Sequence, residues 1–140
     1  MQVFIIGSVL ETASALDPKR FNKQIIEVKQ ILNTIAGIST AWKNHPCILQ
    51  YKGYSDYLFS YVMCLIAFRE GDVSMAKMYS DIASNLKPEF HTVEYFDQMK
   101  RRLYTKNPEY YSSWSSLGVS DENWYYVNSN WLIYKNGKRI

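Results

Sequence analysis

The sequence lacks most of the short motifs by which enzymes and metal proteins are recognised. It has 2 cysteines and 2 histidines in 140 residues, and their spacing fits no common zinc site. It contains no H-E-x-x-H, no Walker loop, no G-x-S-x-G and no G-x-G-x-x-G. These absences argue against several large enzyme classes without indicating another.

The sequence also lacks a long apolar run and a flexible linker. Residues 1–7 are apolar, but they have no basic region and no small-residue cleavage site, and they fall far short of the ~20 residues of a membrane-spanning helix. No Pro/Gly/Ser-rich stretch and no internal repeat divides the chain. We therefore expect a soluble, cytoplasmic protein that contacts no membrane. Its Cys47 and Cys64 are expected to be reduced, half-buried thiols.

Aromatic residues are abundant, at 16% of the sequence, and eleven of them follow Glu94. The 16 basic residues exceed the 13 acidic ones by only 3, yet most of them fall within residues 19–29, 100–106 and 135–139. Basic residues interleaved with aromatics suit a surface that holds phosphates and stacks bases. Solvated surface charge over an aromatic-rich core gives the same pattern, so both interpretations stay open.

Apolar periodicity predicts a mainly α-helical chain. Helices are predicted over residues 8–16, 17–37, 54–70, 72–86 and 92–104. The third is apolar nearly all round, which is typical of a central, buried helix. In the aromatic C-terminal segment, about residues 108–140, Asn136-Gly137 is a strong hairpin signal. The predicted fold is a compact single-domain helical bundle with an extended N-terminal segment and a small irregular or β-hairpin C-terminal piece.

The second predicted helix carries a charged face beside its apolar stripe, formed by Arg20, Lys23, Glu27 and Gln30. A lone carboxylate among cations on a helix is commonly a surface ion pair. The alternative is a carboxylate at the floor of a phosphate-binding cleft. There it would transfer protons or stabilise a sugar cation.

Several short stretches follow one another in order along residues 1–127. They are Leu16-Asp17-Pro18-Lys19-Arg20, Lys23-Gln24, Glu27, Trp42-Lys43-Asn44-His45-Pro46, His91, Arg101-Arg102-Leu103 and Lys106-Asn107-Pro108-Glu109-Tyr110-Tyr111. Together they resemble the pyrimidine-dimer DNA glycosylase (endonuclease V-like) family, and more closely its bacterial and phage branch. The resemblance implies a single helical domain over residues 1–140 and, for a phage protein, a place in the host-cell cytoplasm.

The resemblance implies a DNA-repair N-glycosylase and AP lyase that acts on pyrimidine dimers or similar lesions in double-stranded DNA. The N-terminal α-amine, here that of Met1, would attack C1′ of a flipped nucleotide and form a Schiff base, assisted by Glu27. No metal or cofactor is implied, because amine and carboxylate suffice. The DNA- or phosphate-binding residues would be Arg20, Lys23, His45, His91, Arg101, Arg102 and Lys106, and the base-stacking residues Tyr110, Tyr111, Trp124 and Tyr125.

Residue 2 departs from the family pattern. Removal of the initiator Met exposes Thr in endonuclease V, whereas Gln2 has a large side chain that normally prevents removal. The amine is therefore expected on Met1, one residue from its usual place. Two other functions stay open. One is a non-catalytic family member that binds DNA or a nucleotide, such as a phage nucleotide-sequestering protein, and the other is a helical protein–protein adaptor.

Overall fold

The computed structural model describes residues 1–140 as seven helices followed by a small antiparallel sheet. The mainly α-helical fold class predicted from the sequence is confirmed. No helix combines the length and apolar character that a membrane span requires. The elements are α1 (Val9–Ala15), α2 (Pro18–Ile35), α3 (Pro46–Tyr51), α4 (Ser55–Arg69), α5 (Val73–Ser84), α6 (Val93–Lys106), a 3₁₀ helix (Ser112–Leu117), β1 (Glu122–Val127), β2 (Asn130–Lys135) and β3 (Lys138–Arg139).

Local sequence signals set the helix boundaries. At α1, the Ser8 hydroxyl accepts from the Glu11 N–H at 3.1 Å and the Glu11 carboxylate accepts from the Ser8 N–H at 3.3 Å, which forms a capping box. Pro18 begins α2, and Gly37, at φ 80°, follows its end. The five predicted helices agree with the observed bounds to within about two residues.

Helix α4 lies at the centre of the bundle and packs against α1, α2 and α5. Its Leu58, Tyr61 and Leu65 are fully buried. The helix is less enclosed than its composition predicts, because Phe59 is 52% exposed on the opposite side.

The N-terminal segment enters this core without forming a strand. Residues 3–6 are all buried. Buried backbone N–H groups need partners, and here side chains supply them. The Phe4 N–H donates to Gln24 Oε1 at 2.8 Å, and the Ile6 N–H donates to Thr12 Oγ1 at 3.1 Å. The start of the chain is thereby fixed beside α2.

The C-terminal sheet has the strand order β1-β2-β3, and β1 contacts α3 and α6. The predicted hairpin turn at Asn136-Gly137 is confirmed, with φ of 53° and 75°. A second turn with positive φ at both central residues, Asn128-Ser129, joins β1 to β2. Such turns match the twist of antiparallel strands. The Tyr125 hydroxyl of β1 donates to the Met1 carbonyl at 3.3 Å, so the sheet reaches the chain start.

Four local features differ from the sequence-based expectation. No helix was predicted between residues 37 and 54, but α3 begins there at Pro46. Strand β1 and the 3₁₀ helix were not predicted. Cys47 and Cys64 are free thiols, as expected, but they are fully buried rather than half-buried.

Candidate active site in a cationic cleft

A cleft with a volume of about 340 Å³ lies between the N-terminal segment, α2, the end of α6 and β1. Five of its lining residues are cationic and one is acidic, so the cleft carries an excess of positive charge that attracts phosphate groups. Amide, phenyl and thioether side chains complete the lining. The residues are Lys19, Arg20, Lys23, Arg102 and Lys106, then Glu27, then Met1, Gln2, Phe4, Gln24 and Asn123.

Glu27 is the carboxylate of the cleft, and its side chain is only 16% exposed. Its Oε1 lies 3.7 Å from Lys23 Nζ, one helical turn away. Its Oε2 accepts from the Gln2 N–H and from Gln24 Nε2, each at 3.4 Å. Glu27 therefore does more than pair with the exposed Lys23, because it also contacts the chain start and faces the cleft.

Gln24 holds the N-terminal segment against α2. It is 1% exposed, and its Oε1 accepts from the Phe4 N–H at 2.8 Å and from the Tyr61 hydroxyl at 3.0 Å. Its Nε2 donates to the Gln2 carbonyl at 2.8 Å. The Tyr61 hydroxyl lies 2.8 Å from the Phe4 carbonyl as well. The hydrogen bonds to Gln24 and Tyr61 thereby fix the backbone of residues 2–4 between α2 and α4.

Contacts from the C-terminal sheet hold the first two residues from the other side. The Gln2 side-chain amide donates to Asn123 Oδ1, and the Tyr125 hydroxyl donates to the Met1 carbonyl. The chain start is thus enclosed between α2 and β1. Met1 itself lines the same cleft as Glu27.

His45 lies close to the N-terminal amine. Its Nδ1 accepts from the Cys47 N–H at 3.0 Å, which caps α3, and its ring meets Tyr125 edge-on at 5.7 Å. Burial lowers the pKa of His45, and the positive charge of the N-terminal amine lowers it further. His45 therefore feels the charge of the amine but does not line the cleft.

The end of α6 supplies two of the cations. Burial lowers the pKa of both Arg102 and Lys106, and for Lys106 the neighbouring charges of Arg102, Arg20 and Lys23 lower it further. The Arg102 Nε is buried without a partner, while its Nη1 donates to the Ser120 carbonyl at 3.4 Å. These cations lie close together and retain N–H groups without a hydrogen-bond partner, as an anion-binding site requires.

Arg20 is oriented by a buried network behind the cleft. Its Nη1 lies 3.1 Å from Asp17 Oδ2. The Tyr111 hydroxyl donates to Asp17 Oδ1 and accepts from the Asp17 N–H. Asp17 stands at the N-cap of α2, but its carboxylate makes no capping bond because Arg20 and Tyr111 engage both of its oxygens.

The comparison with protein families bears directly on this cleft. Residues 1–67 match the family model described as Pyrimidine dimer DNA glycosylase. The resemblance inferred from the sequence is confirmed over that range, which contains Met1, Arg20, Lys23 and Glu27. No curated protein and no solved structure matches the chain.

The matched residues 1–67 supply most of the cleft, and the C-terminal half completes it. Six of the predicted site residues come together in the lining: Met1, Arg20, Lys23, Glu27, Arg102 and Lys106. Seven others lie outside it: His45, His91, Arg101, Tyr110, Tyr111, Trp124 and Tyr125. Gln30, on the same predicted face of α2, lines a separate cavity with Trp42.

His91 and Arg101 have structural partners instead of an open face. His91 is 3% exposed, with its Nε2 2.9 Å from the Tyr51 hydroxyl. Burial, and then the charge of Lys87, lowers the pKa of His91 to about 3, so the ring is neutral near pH 7. Arg101 donates from Nε to the Leu117 carbonyl at 2.9 Å, next to the end of the 3₁₀ helix. Neither residue offers a free cation to the cleft.

The four aromatics expected to stack bases have different surroundings. Tyr111 is buried and stacks on Trp114 at 5.2 Å, and Tyr125 is buried between His45 and Tyr134. Trp124 is half-buried and donates from Nε1 to Glu122 at 3.1 Å. Tyr110 is 51% exposed, but it lines a neighbouring apolar groove. In this conformation none of the four presents a ring to the cleft.

Sequence reasoning did not select Lys19, Gln24 or Asn123 as site residues. The helical period gave a signal for Gln24, because it lies four residues after Arg20 and three before Glu27. Lys19 belongs to the basic cluster that was recognised on α2. Asn123 carried no signal, since its place in the cleft depends on how β1 packs against the chain start.

Proposed function

We propose that this protein is a DNA-repair N-glycosylase with AP-lyase activity on pyrimidine dimers or similarly altered bases in duplex DNA. One observation carries the proposal: Met1 and Glu27 line a single cationic cleft. Both residues fall within the part of the chain that matches the pyrimidine dimer DNA glycosylase family. An amine, a carboxylate and phosphate-binding cations are the groups that this chemistry needs.

The cations would hold the DNA backbone. Each phosphate contact by Lys or Arg releases counterions and favours binding at low salt. Extruding a nucleotide costs a few kcal/mol, and a damaged base lowers that cost. Lys19, Arg20, Lys23, Arg102 and Lys106 would offset it by gripping phosphates on either side of the extruded nucleotide.

The Met1 amine would act as the nucleophile. An unprotonated α-amine carries the lone pair that attacks an electrophilic carbon such as C1′. As nitrogen bonds to C1′, the glycosidic bond breaks and the base leaves with its electron pair and a proton. Glu27 would stabilise the positive charge that develops on the sugar and carry protons as the ring opens to an iminium. Loss of a C2′ proton then expels the 3′ phosphate, and water releases the amine.

We also propose that residues 1–140 act as one domain in this reaction. The cleft needs Arg102 and Lys106 from α6 and Asn123 from β1 in addition to α2. A fragment that ends with α4 would lack those groups. The C-terminal half is thus part of the proposed active site.

Borohydride trapping tests the proposal. With duplex DNA that holds one abasic site, sodium borohydride should fix a covalent adduct, and mass spectrometry should place it on the Met1 peptide. With DNA that holds one thymine dimer, Glu27→Gln should slow base release at least about 100-fold, because removing a single electrostatic stabiliser costs that much. Salt-dependent DNA binding should remain.

Glu94→Gln, an exposed charge change at the start of α6, is the matched control and should leave base release unchanged. An intact mass that shows an acetylated Met1, or a wild-type chain that gives neither adduct nor base release, contradicts the proposal.

A second function has one specific observation in its favour. At the chain start, the nitrogen that bonds to Glu27 is the peptide N–H of Gln2, at 3.4 Å, and a peptide nitrogen is not a nucleophile. This arrangement suits a non-catalytic member that binds DNA or a nucleotide in the cationic cleft. Steeply salt-dependent binding with no trapped adduct would support it.

A further inference from the structure

A second amine lines the cleft beside Met1. Lys106 is the last residue of α6, and its side chain shares the lining with Glu27. Lys23 pairs with Glu27 and Arg20 pairs with Asp17, whereas Lys106 forms no ion pair. Its ammonium therefore lacks the direct carboxylate partner that would hold it in the charged form.

The surroundings of Lys106 disfavour its charged form relative to an exposed lysine. Partial burial lowers its pKa first, and the charges of Arg102, Arg20 and Lys23 lower it further, against a smaller opposing effect of Glu27. A lowered pKa makes the unprotonated lysine more accessible, and that form is the nucleophile toward carbonyl groups. The same cations would bring a phosphorylated carbonyl compound to it.

We propose that the ε-amine of Lys106 is a second Schiff-base nucleophile, which reacts with phosphate-bearing aldehydes that enter the cationic cleft. The open-chain sugar of an abasic site in DNA is such an aldehyde. The reaction of Lys106 with abasic-site DNA rests on the proposed function, whereas its reaction with a small phosphorylated aldehyde does not.

The chemistry needs no further co-reactant. Lys106 Nζ bonds to the aldehyde carbon, and the resulting carbinolamine loses its hydroxyl as water after proton transfer from solvent. In the iminium, loss of a C2′ proton places the electron pair in a C2′–C3′ double bond and expels the 3′ phosphate. Water then hydrolyses the imine and restores the amine.

A small aldehyde tests the lysine without DNA. The full chain is treated with pyridoxal 5′-phosphate and sodium borohydride, and labelled peptides are quantified by mass spectrometry. Lys106 should be labelled at least about 10-fold faster than the exposed Lys77 of α5, and inorganic phosphate should slow the labelling. Lys106→Arg keeps the positive charge and should abolish this fast label, whereas Lys77→Arg should leave it unchanged. Equal labelling of Lys106 and Lys77 overturns the proposal.

Abasic-site DNA in place of pyridoxal phosphate separates this proposal from the preceding one. An adduct on the Lys106 peptide supports the second nucleophile, with or without an adduct on Met1. An adduct confined to Met1 supports the lyase mechanism through the α-amine and overturns the role of Lys106 in DNA. Fast pyridoxal labelling of Lys106 without any DNA adduct keeps Lys106 as an aldehyde-reactive group and overturns the proposed lyase activity.

Discussion

Replacing Gln24 with Leu should detach the start of the chain from α2. Leu has a similar volume, so the substitution removes hydrogen bonds while leaving little empty space. Gln24 bonds to the Phe4 N–H and the Gln2 carbonyl at 2.8 Å each, and to the Tyr61 hydroxyl at 3.0 Å. The Tyr61 hydroxyl keeps a partner in the Phe4 carbonyl, so the Phe4 N–H and the Gln2 carbonyl become the unpaired groups.

The size of the effect follows from those two groups. A buried polar group without a partner costs about 1–3 kcal/mol. The Phe4 N–H is fully enclosed, whereas the Gln2 carbonyl borders the cleft and regains water, so we expect a loss of about 2–4 kcal/mol. For 140 residues, the unfolding entropy near 60 °C is roughly 0.3 kcal/mol/K, and the melting temperature should fall by about 7–14 °C.

Urea unfolding and amide hydrogen exchange measure this effect. The urea midpoint should drop with an unchanged slope, and the Phe4 amide should lose its protection. Gln50→Leu is the matched control, since Gln50 is equally buried but bonds to Tyr126 and Tyr95 instead. The Phe4 amide should stay protected in that variant. A Gln24→Leu chain within about 0.5 kcal/mol of wild type, with a protected Phe4 amide, would refute the reasoning.

Two further substitutions test the fold. The pKa of His91 is about 3 in the folded state and about 6.5 in the unfolded chain. Because the unfolded chain binds the proton more tightly, the stability present above pH 6.5 should decline as the pH falls toward 3. His91→Gln should reduce that decline by up to about 1 kcal/mol per pH unit, measured by urea unfolding at pH 7 and pH 4, and an unchanged decline would contradict the assignment. Ser129 has φ 62° in the β1–β2 turn, so Ser129→Gly should stabilise the chain by about 0.5–1 kcal/mol and raise its melting temperature. A melting temperature below that of the wild type would show that the turn needs the Ser side chain.

The fold was predictable where its signals are local. Ser8, Pro18 and Gly37 mark helix boundaries through caps and backbone preferences that depend on neighbouring residues alone. Helix α3 escaped prediction because it is short and its cap is His45, an unusual capping residue. Strand β1 was not predicted because Asn128-Ser129 adopts positive φ without a glycine, so the turn lacks the usual sequence signature.

The candidate site divides in the same way. One helix carries Arg20, Lys23 and Glu27, so the helical period places them together before any tertiary structure is known. The contact between Gln2 and Asn123 spans 121 positions of sequence and depends on the docking of the sheet. The late aromatics were ambiguous because the same rings can stack bases or fill a core, and only packing distinguishes the two. For Tyr111 and Tyr125, packing places the rings inside.

The enclosure of the chain start has an energetic consequence for the proposed reaction. Terminal residues usually fray, and fixing each residue's backbone costs about 1–2 kcal/mol. Here Gln24, Tyr125 and Asn123 hold residues 1–4 in the folded protein, so that cost is met by folding and is absent when DNA binds. The amine of Met1 would then be near its attacking position before the substrate arrives. The binding energy from the cations of the cleft can therefore offset the cost of bending the duplex and extruding a nucleotide. With a flexible chain start, part of that binding energy would instead offset the cost of ordering residues 1–4.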